Sequence, residues 1–129
     1  MHAVTLQEEM DFVNSYIYLL QMRYEDNLTF DMHIEPELLS KMLPPMGVQL
    51  LIENAVKHNE ISNRHPFAVH IVAKDGWLLV SNLLQPKRVR TSGTRVGLDN
   101  LAKRYQLLFH KSIEVKEEQN CFIVKLPLI

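Results

Sequence analysis

Three side chains could do chemistry together: Asn54, Lys57 and His58, in the run Leu50-Leu51-Ile52-Glu53-Asn54-Ala55-Val56-Lys57-His58-Asn59. Positions three and four apart are neighbours on a helix, so an amide, an ammonium and an imidazole share one face. Such a set suits a polyphosphate with its metal ion. An amide oxygen is the hard donor that Mg²⁺ prefers. A lysine offers a point charge to a phosphate, and an imidazole can donate to one. The same spacing is equally that of a solvated helix face, where Asn, Lys and His are common, and Glu53 with Lys57 is an ordinary i,i+4 pair. A second candidate lies at 93–100, Gly93-Thr94-Arg95-Val96-Gly97-Leu98-Asp99-Asn100, followed by Arg104-Tyr105. Glycine ahead of a helix lets the backbone approach a ligand, and the helix N-terminus presents free N–H groups to an anion. On two glycines alone, a plain loop-to-helix junction reads as well.

The elements that position these groups follow from periodicity. Leu6, Met10, Val13, Ile17 and Leu20 form one stripe of a helix over 6–26, and Thr5-Leu6-Gln7-Glu8 reads as a capping box at its start. Leu28, Phe30, Met32 and Ile34 alternate as in a half-buried strand. Pro36 opens a short helix over 37–42, which Pro44-Pro45 ends, and a long helix runs over 47–58 with Val48, Leu51, Ile52, Ala55 and Val56 on its apolar face. Strands at 67–73 and 77–81 flank Lys74-Asp75-Gly76, a hairpin signal. The polar, basic stretch 85–95 reads as a loop, 97–109 as a helix, and 113–116 and 121–126 as a closing hairpin. Strands grouped in hairpins predict an α+β fold: a two-layer sandwich whose mixed, largely antiparallel sheet carries helices on one face.

Composition bounds the rest. The 129 residues suit a single domain, and 47% hydrophobic with 22% charged residues is a globular balance. A formal net charge of -1 creates no field that would recruit nucleic acid. The single cysteine, Cys121, allows no internal disulfide and fits a reducing compartment. The six histidines are scattered without zinc-site spacing.

The string Leu-Ile-Glu-Asn-Ala-Val-Lys-His at 51–58 resembles the N-box of the GHKL superfamily in the form used by LytS-type sensor histidine kinases. That resemblance implies the Bergerat-type ATP-binding fold, with ATP and Mg²⁺ as ligands. Asn54 then holds the Mg²⁺, Lys57 meets a phosphate, and His58 and Asn59 line the phosphate side. Gly93, Gly97, Leu98, Asn100 and Arg104 resemble the family's G2 box, with Arg95 in place of its middle glycine, where a guanidinium can itself reach a phosphate. Residues 85–96 correspond to the ATP lid, whose Lys87, Arg88 and Arg90 either steer an anion or keep a loop solvated. Asn82 stands where the family's G1 Asp accepts from the adenine amino group; its carbonyl can accept too, without the charge. The resemblance extends to the opening helix with Arg23-Tyr24, to Pro44-Pro45-Met46 and to the terminal strand, so that residues 1–129 form one ATP-binding domain and 1–26 lead from an upstream phospho-acceptor region. The family's His-Phe-x-x-Asn acceptor motif is absent from the chain.

The implied activity is transfer of the ATP γ-phosphoryl group to a histidine on another domain of the same protein. The implied partners are that domain and a response regulator, with a homodimer in the intact kinase and a cytoplasmic position beneath an inner-membrane anchor. Two other readings stay open. The altered G1 and G2 stretches fit a degenerate nucleotide domain acting as a scaffold. An ATPase of the same superfamily would need a water-activating Glu four residues before Asn54, where this chain has Leu50.

Overall fold

The computed structural model describes residues 2–85 and 94–129, with the backbone alone for residues 94–96. Helix α1 (Leu6–Tyr24) starts at the expected capping box: the Thr5 hydroxyl accepts from the Glu8 N–H and the Glu8 carboxylate accepts from the Thr5 N–H, each at 3.1 Å. The hydrogen bond from the Thr5 backbone, then that from its hydroxyl, hold the Glu8 carboxyl below its ordinary range. Leu6, Met10, Val13, Ile17 and Leu20 are all buried, and α1 gives way to a 3₁₀ turn at Glu25–Asn27.

Ahead of α1, the short strand β1 (Val4–Thr5) pairs antiparallel with β3 (Met42–Leu43). The expected helix over 37–42 is a correction: only Pro36–Leu38 winds, as a 3₁₀ turn, and β3 follows. Long-range pairing outweighs local propensity here. Met42 N–H donates to Ile129 O at 2.7 Å and Met42 O accepts from Ile129 N–H at 3.0 Å, while Lys41 O accepts from Leu6 N.

The main sheet has the order β2-β4-β5-β7-β6. Its strands are β2 (Leu28–Ile34), β4 (Phe67–Lys74), β5 (Trp77–Leu83), β6 (Glu114–Glu118) and β7 (Cys121–Pro127). β2 and β4 run parallel, which requires a crossover, and helix α2 (Gly47–His58) supplies it. The other pairs are antiparallel. Both tight hairpins turn on two residues with positive φ, Asp75 (54°) with Gly76 (83°) and Gln119 (50°) with Asn120 (64°), whose twist matches that of the strands they join.

Alternation along the strands sets the layers. Phe67, Val69, Ile71 and Ala73 of β4, Leu78 and Val80 of β5, and Val124 and Leu126 of β7 are buried in one core with the inner sides of α1, α2 and helix α3 (Thr94–Phe109). The result is the α+β, two-layer arrangement expected, with a mixed sheet. α3 begins a turn earlier than the expected start at Gly97.

Candidate functional site

α2 carries the candidate site at its C-terminal half, and its N-terminus is fixed by groups from other elements. Met46, its N-cap residue, is left-handed (φ 63°) and supplies no capping side chain. The buried Glu9 of α1 caps it instead. One carboxylate oxygen accepts from Met46 N at 2.8 Å, and the other from Val48 N at 3.0 Å and Gln49 N at 3.3 Å. A carboxylate at a helix N-terminus satisfies otherwise orphaned donors and lies at the positive end of the dipole. From the other side, Arg104 of α3 donates to Pro45 O at 2.5 Å. The start of α2 is thus clamped between α1 and α3.

On that fixed helix, Asn54 is half-buried, Lys57 exposed and His58 half-buried. The amide nitrogen of Asn54 is buried without a hydrogen-bond partner among the described residues. Such an atom costs about 1–3 kcal/mol when left unsatisfied, so its position marks a place that a polar ligand would complete. Rotating the amide by half a turn exchanges its nitrogen and oxygen, so Asn54 can present either a donor or a hard oxygen.

Asn59, expected on the phosphate side, is held within the protein. It is buried, its amide N–H donates to Ala55 O at 2.8 Å, and its amide oxygen accepts from Gln85 N at 2.8 Å. Both polar ends are engaged within the protein, so the residue acts as an anchor. Glu60 N–H also donates to Gln85 O at 2.6 Å, and the Gln85 amide to Glu60 O at 3.0 Å. These bonds knit the end of β5 to the C-terminus of α2, beside Lys57 and His58.

Asn82 lies on β5 on the same side as Leu78 and Val80, the helix-covered face, and is buried. Its amide nitrogen donates one N–H to Leu83 O at 2.8 Å, and its carbonyl oxygen can accept. The structure therefore brings Asn54, Lys57 and His58 together on α2 and puts Asn82 on the sheet face that the helices cover.

The second motif resolves differently. Gly93 and the side chain of Arg95 lie outside the described residues, as do Lys87, Arg88 and Arg90. Gly97, expected as the first residue of the helix, lies a turn inside α3. A Cβ there would come within 3.1 Å of Leu50 Cδ1, so glycine lets α3 approach α2. Leu98, expected at the nucleotide, has its side chain buried in the core. Leu50, the position of the absent water-activating Glu, is used in packing against Gly97. Among the described residues no group of three or more His, Cys, Asp or Glu is arranged to hold a metal.

Glu9 escaped the reading of the motifs because its partners are 37 to 40 positions along the chain. The available signal was indirect: α2 starts after Pro44-Pro45-Met46, with no Ser, Thr, Asp or Asn to cap it.

No protein-family model matches the chain. The sensor histidine kinase/phosphatase LytS of Staphylococcus aureus strain MRSA252 is 31% identical over 134 residues, a match that covers 91% of this chain and 23% of LytS. The LytS of strain N315 matches equally well. The chain thus spans about a quarter of the length of the curated relatives it matches. Among solved structures, the cytoplasmic segment of histidine kinase QseC superposes with a TM-score of 0.69 at 14% identity, over 99% of this chain and 77% of that one. The catalytic domain of histidine kinase ThkA gives 0.60 at 17% identity, over 98% of both chains. The mycobacterial sensor histidine kinase MprB gives 0.57 at 15% identity, over 98% of this chain and 97% of its own. The fold is that of the catalytic domains of histidine kinases. Within that class the chain is of the LytS type, as its sequence similarity along 91% of its length shows.

Proposed function

We propose that this domain binds Mg-ATP and acts as the catalytic half of a two-component sensor kinase, directing the γ-phosphoryl group to a histidine on a separate domain. The observation that carries this reading is the buried, unpartnered amide nitrogen of Asn54 on the same helix face as Lys57 and His58. A polar atom kept dry and unsatisfied is a cost that a ligand site can justify and a solvated helix face cannot.

Asn54 would hold the Mg²⁺ through its amide oxygen, and Lys57 and His58 would neutralise phosphate charge. The carbonyl of Asn82 would accept from the adenine amino group. Bound Mg-ATP supplies the phosphoryl group itself. Positioning and charge neutralisation are the protein's main contributions to phosphoryl transfer. The nucleophile comes from elsewhere, because the acceptor motif is absent from the chain. In the whole protein the partners would be the acceptor domain and a response regulator, in a homodimeric parent anchored in the inner membrane with this domain in the cytoplasm. No helix among the described residues is long and apolar enough to cross a membrane.

One observation favours the scaffold reading. Asn82 offers a neutral acceptor where the family has a carboxylate. Calorimetric titration with a slowly hydrolysed ATP analogue, with and without Mg²⁺, separates the two. Saturable, Mg-dependent binding that Asn54→Ala abolishes, in a variant that melts no lower than the parent, is the expected outcome. Absence of binding at millimolar nucleotide, about -4 kcal/mol, favours the scaffold. Unchanged affinity in Asn54→Ala removes Asn54 from the metal site.

A further inference from the structure

No apolar side chain of α2 lies beyond Val56, and the helix ends on Lys57 and His58. Hydrogen bonds fix where that end sits. The buried amide of Asn59 donates to Ala55 O, one of the carbonyls that a helix end leaves unpaired, and accepts from Gln85 N, both at 2.8 Å. Glu60 N–H donates to Gln85 O at 2.6 Å. The Gln85 amide donates to Glu60 O at 3.0 Å and to His65 O at 3.4 Å. On the sheet side, Leu84 N–H donates to Asn120 O at 2.8 Å, so the sheet holds the chain up to the residue before Gln85. Gln85 thus straps the end of β5 to the segment that closes α2.

We propose that Asn59 and Gln85 are positioning residues that set the distance between the two ends of the candidate site, and so select a ligand that carries a base and a polyphosphate in one molecule. The proposal rests on the nucleotide-binding reading above. Asn82, the group for the base, lies just ahead of Gln85, and Lys57 and His58, the groups for the phosphates, lie just ahead of Asn59. The Asn59–Gln85 bond therefore closes a short path from one set to the other. Were that path slack, a ligand gripping both ends would have to order them as it binds; a fixed path removes that cost beforehand. Asn59 suits the task. The nitrogen and the oxygen of one planar amide both bond within the protein, so the group cannot turn without losing one of them. Buried as it is, no water stands ready to replace the lost bond. Its effect on a ligand acts through Lys57, His58 and Asn82.

Two probes separate positioning from plain support. A slowly hydrolysed ATP analogue reaches both ends of the site, and inorganic triphosphate reaches one; each is titrated calorimetrically with Mg²⁺. Gln85→Met keeps the length of the side chain and removes its two hydrogen bonds. Asn59→Leu keeps the size of the buried side chain and removes the bond to Gln85 N. Each variant should weaken the analogue by about fivefold or more, as the loss of one or two hydrogen bonds allows, and triphosphate by less than about twofold. Equal losses for both probes would show that the two residues only hold the end of α2 together, and overturn the proposal. Unchanged affinity for the analogue in Gln85→Met overturns it too. Gln85 is partly exposed, so its variant keeps the fold and decides alone if Asn59→Leu melts lower than the parent. A parent that binds neither probe overturns the nucleotide reading and this proposal together. A parent that binds the analogue but not triphosphate overturns the two-ended site alone.

Discussion

The hydroxyl of Tyr105 donates to Pro127 O at 3.0 Å from within the core, and the ring lies 5.8 Å from that of Phe109. Burial first, and then the negative charge of Glu9, push its ionisation well above the ordinary tyrosine range, with the cation of Arg104 opposing them. The consequence for stability has a definite sign. Below about pH 10 the phenol is protonated in both folded and unfolded chains, and the full contribution is present. Above it the unfolded chain loses the proton and the folded chain keeps it, so stability falls as pH rises, by up to about 1.4 kcal/mol per pH unit. Tyr105→Phe removes the hydrogen bond at a cost of about 0.5–1.5 kcal/mol near neutral pH. It also removes this alkaline loss. The gap between parent and variant in urea denaturation should therefore narrow between about pH 10 and about pH 11; a gap constant with pH would show that Tyr105 ionises equally in both states. Glu9 shares that interior and takes part in another way, as the cap of a helix to which it does not belong.

Between elements, the α2–α3 contact decides how close the two motif-bearing segments come. Gly97 allows it: an added Cβ would meet Leu50 Cδ1 at 3.1 Å, the end of a side chain that can turn. For Gly97→Ala the gain in helix propensity, about 0.8–1 kcal/mol, offsets that contact, so chemical denaturation should show a change within about 1 kcal/mol. Gly97→Val overpacks the site and should destabilise by about 1–3 kcal/mol. Leu50→Ala should recover part of that loss, a coupling that a double-mutant cycle reads directly. If the two substitutions add without coupling, Gly97 is not a close-approach residue.

The same contact marks where the sequence was legible. α1, α2 and both hairpins could be read because their signals are local: a period of 3.6, a period of 2, a capping box, an Asp-Gly turn. β3 and the early start of α3 could not. Met42 is drawn into a strand by Ile129 at the other end of the chain, and Gly97 reads as the first residue of the helix until Leu50 is seen beside it. At the site, the neighbours Asn54, Lys57 and His58 were visible on one helix face. The clamps of Glu9, Asn59 and Arg104 were not, because each joins segments far apart in sequence.

For the whole molecule, the question is whether α1 leads into the domain or is part of it. Its inner stripe places Leu6, Met10, Val13, Ile17 and Leu20 in the core, and Glu9 caps the helix that carries the candidate site. Burying five such side chains contributes about 7–15 kcal/mol at about 1.5–3 kcal/mol each, as much as the whole net stability of an ordinary domain. A chain that begins at residue 26 should therefore show no cooperative thermal or urea transition and no nucleotide binding. A sharp transition in that shortened chain would show that β2 to β7 with α2 and α3 fold without it. If α1 is integral, a displacement of it acts on the core and on the start of α2 at once. Its outer face, exposed and apolar, is then coupled to the candidate site through Glu9. A partner bound to that face would reach the N-terminus of the helix bearing Asn54 through three hydrogen bonds and no intervening loop.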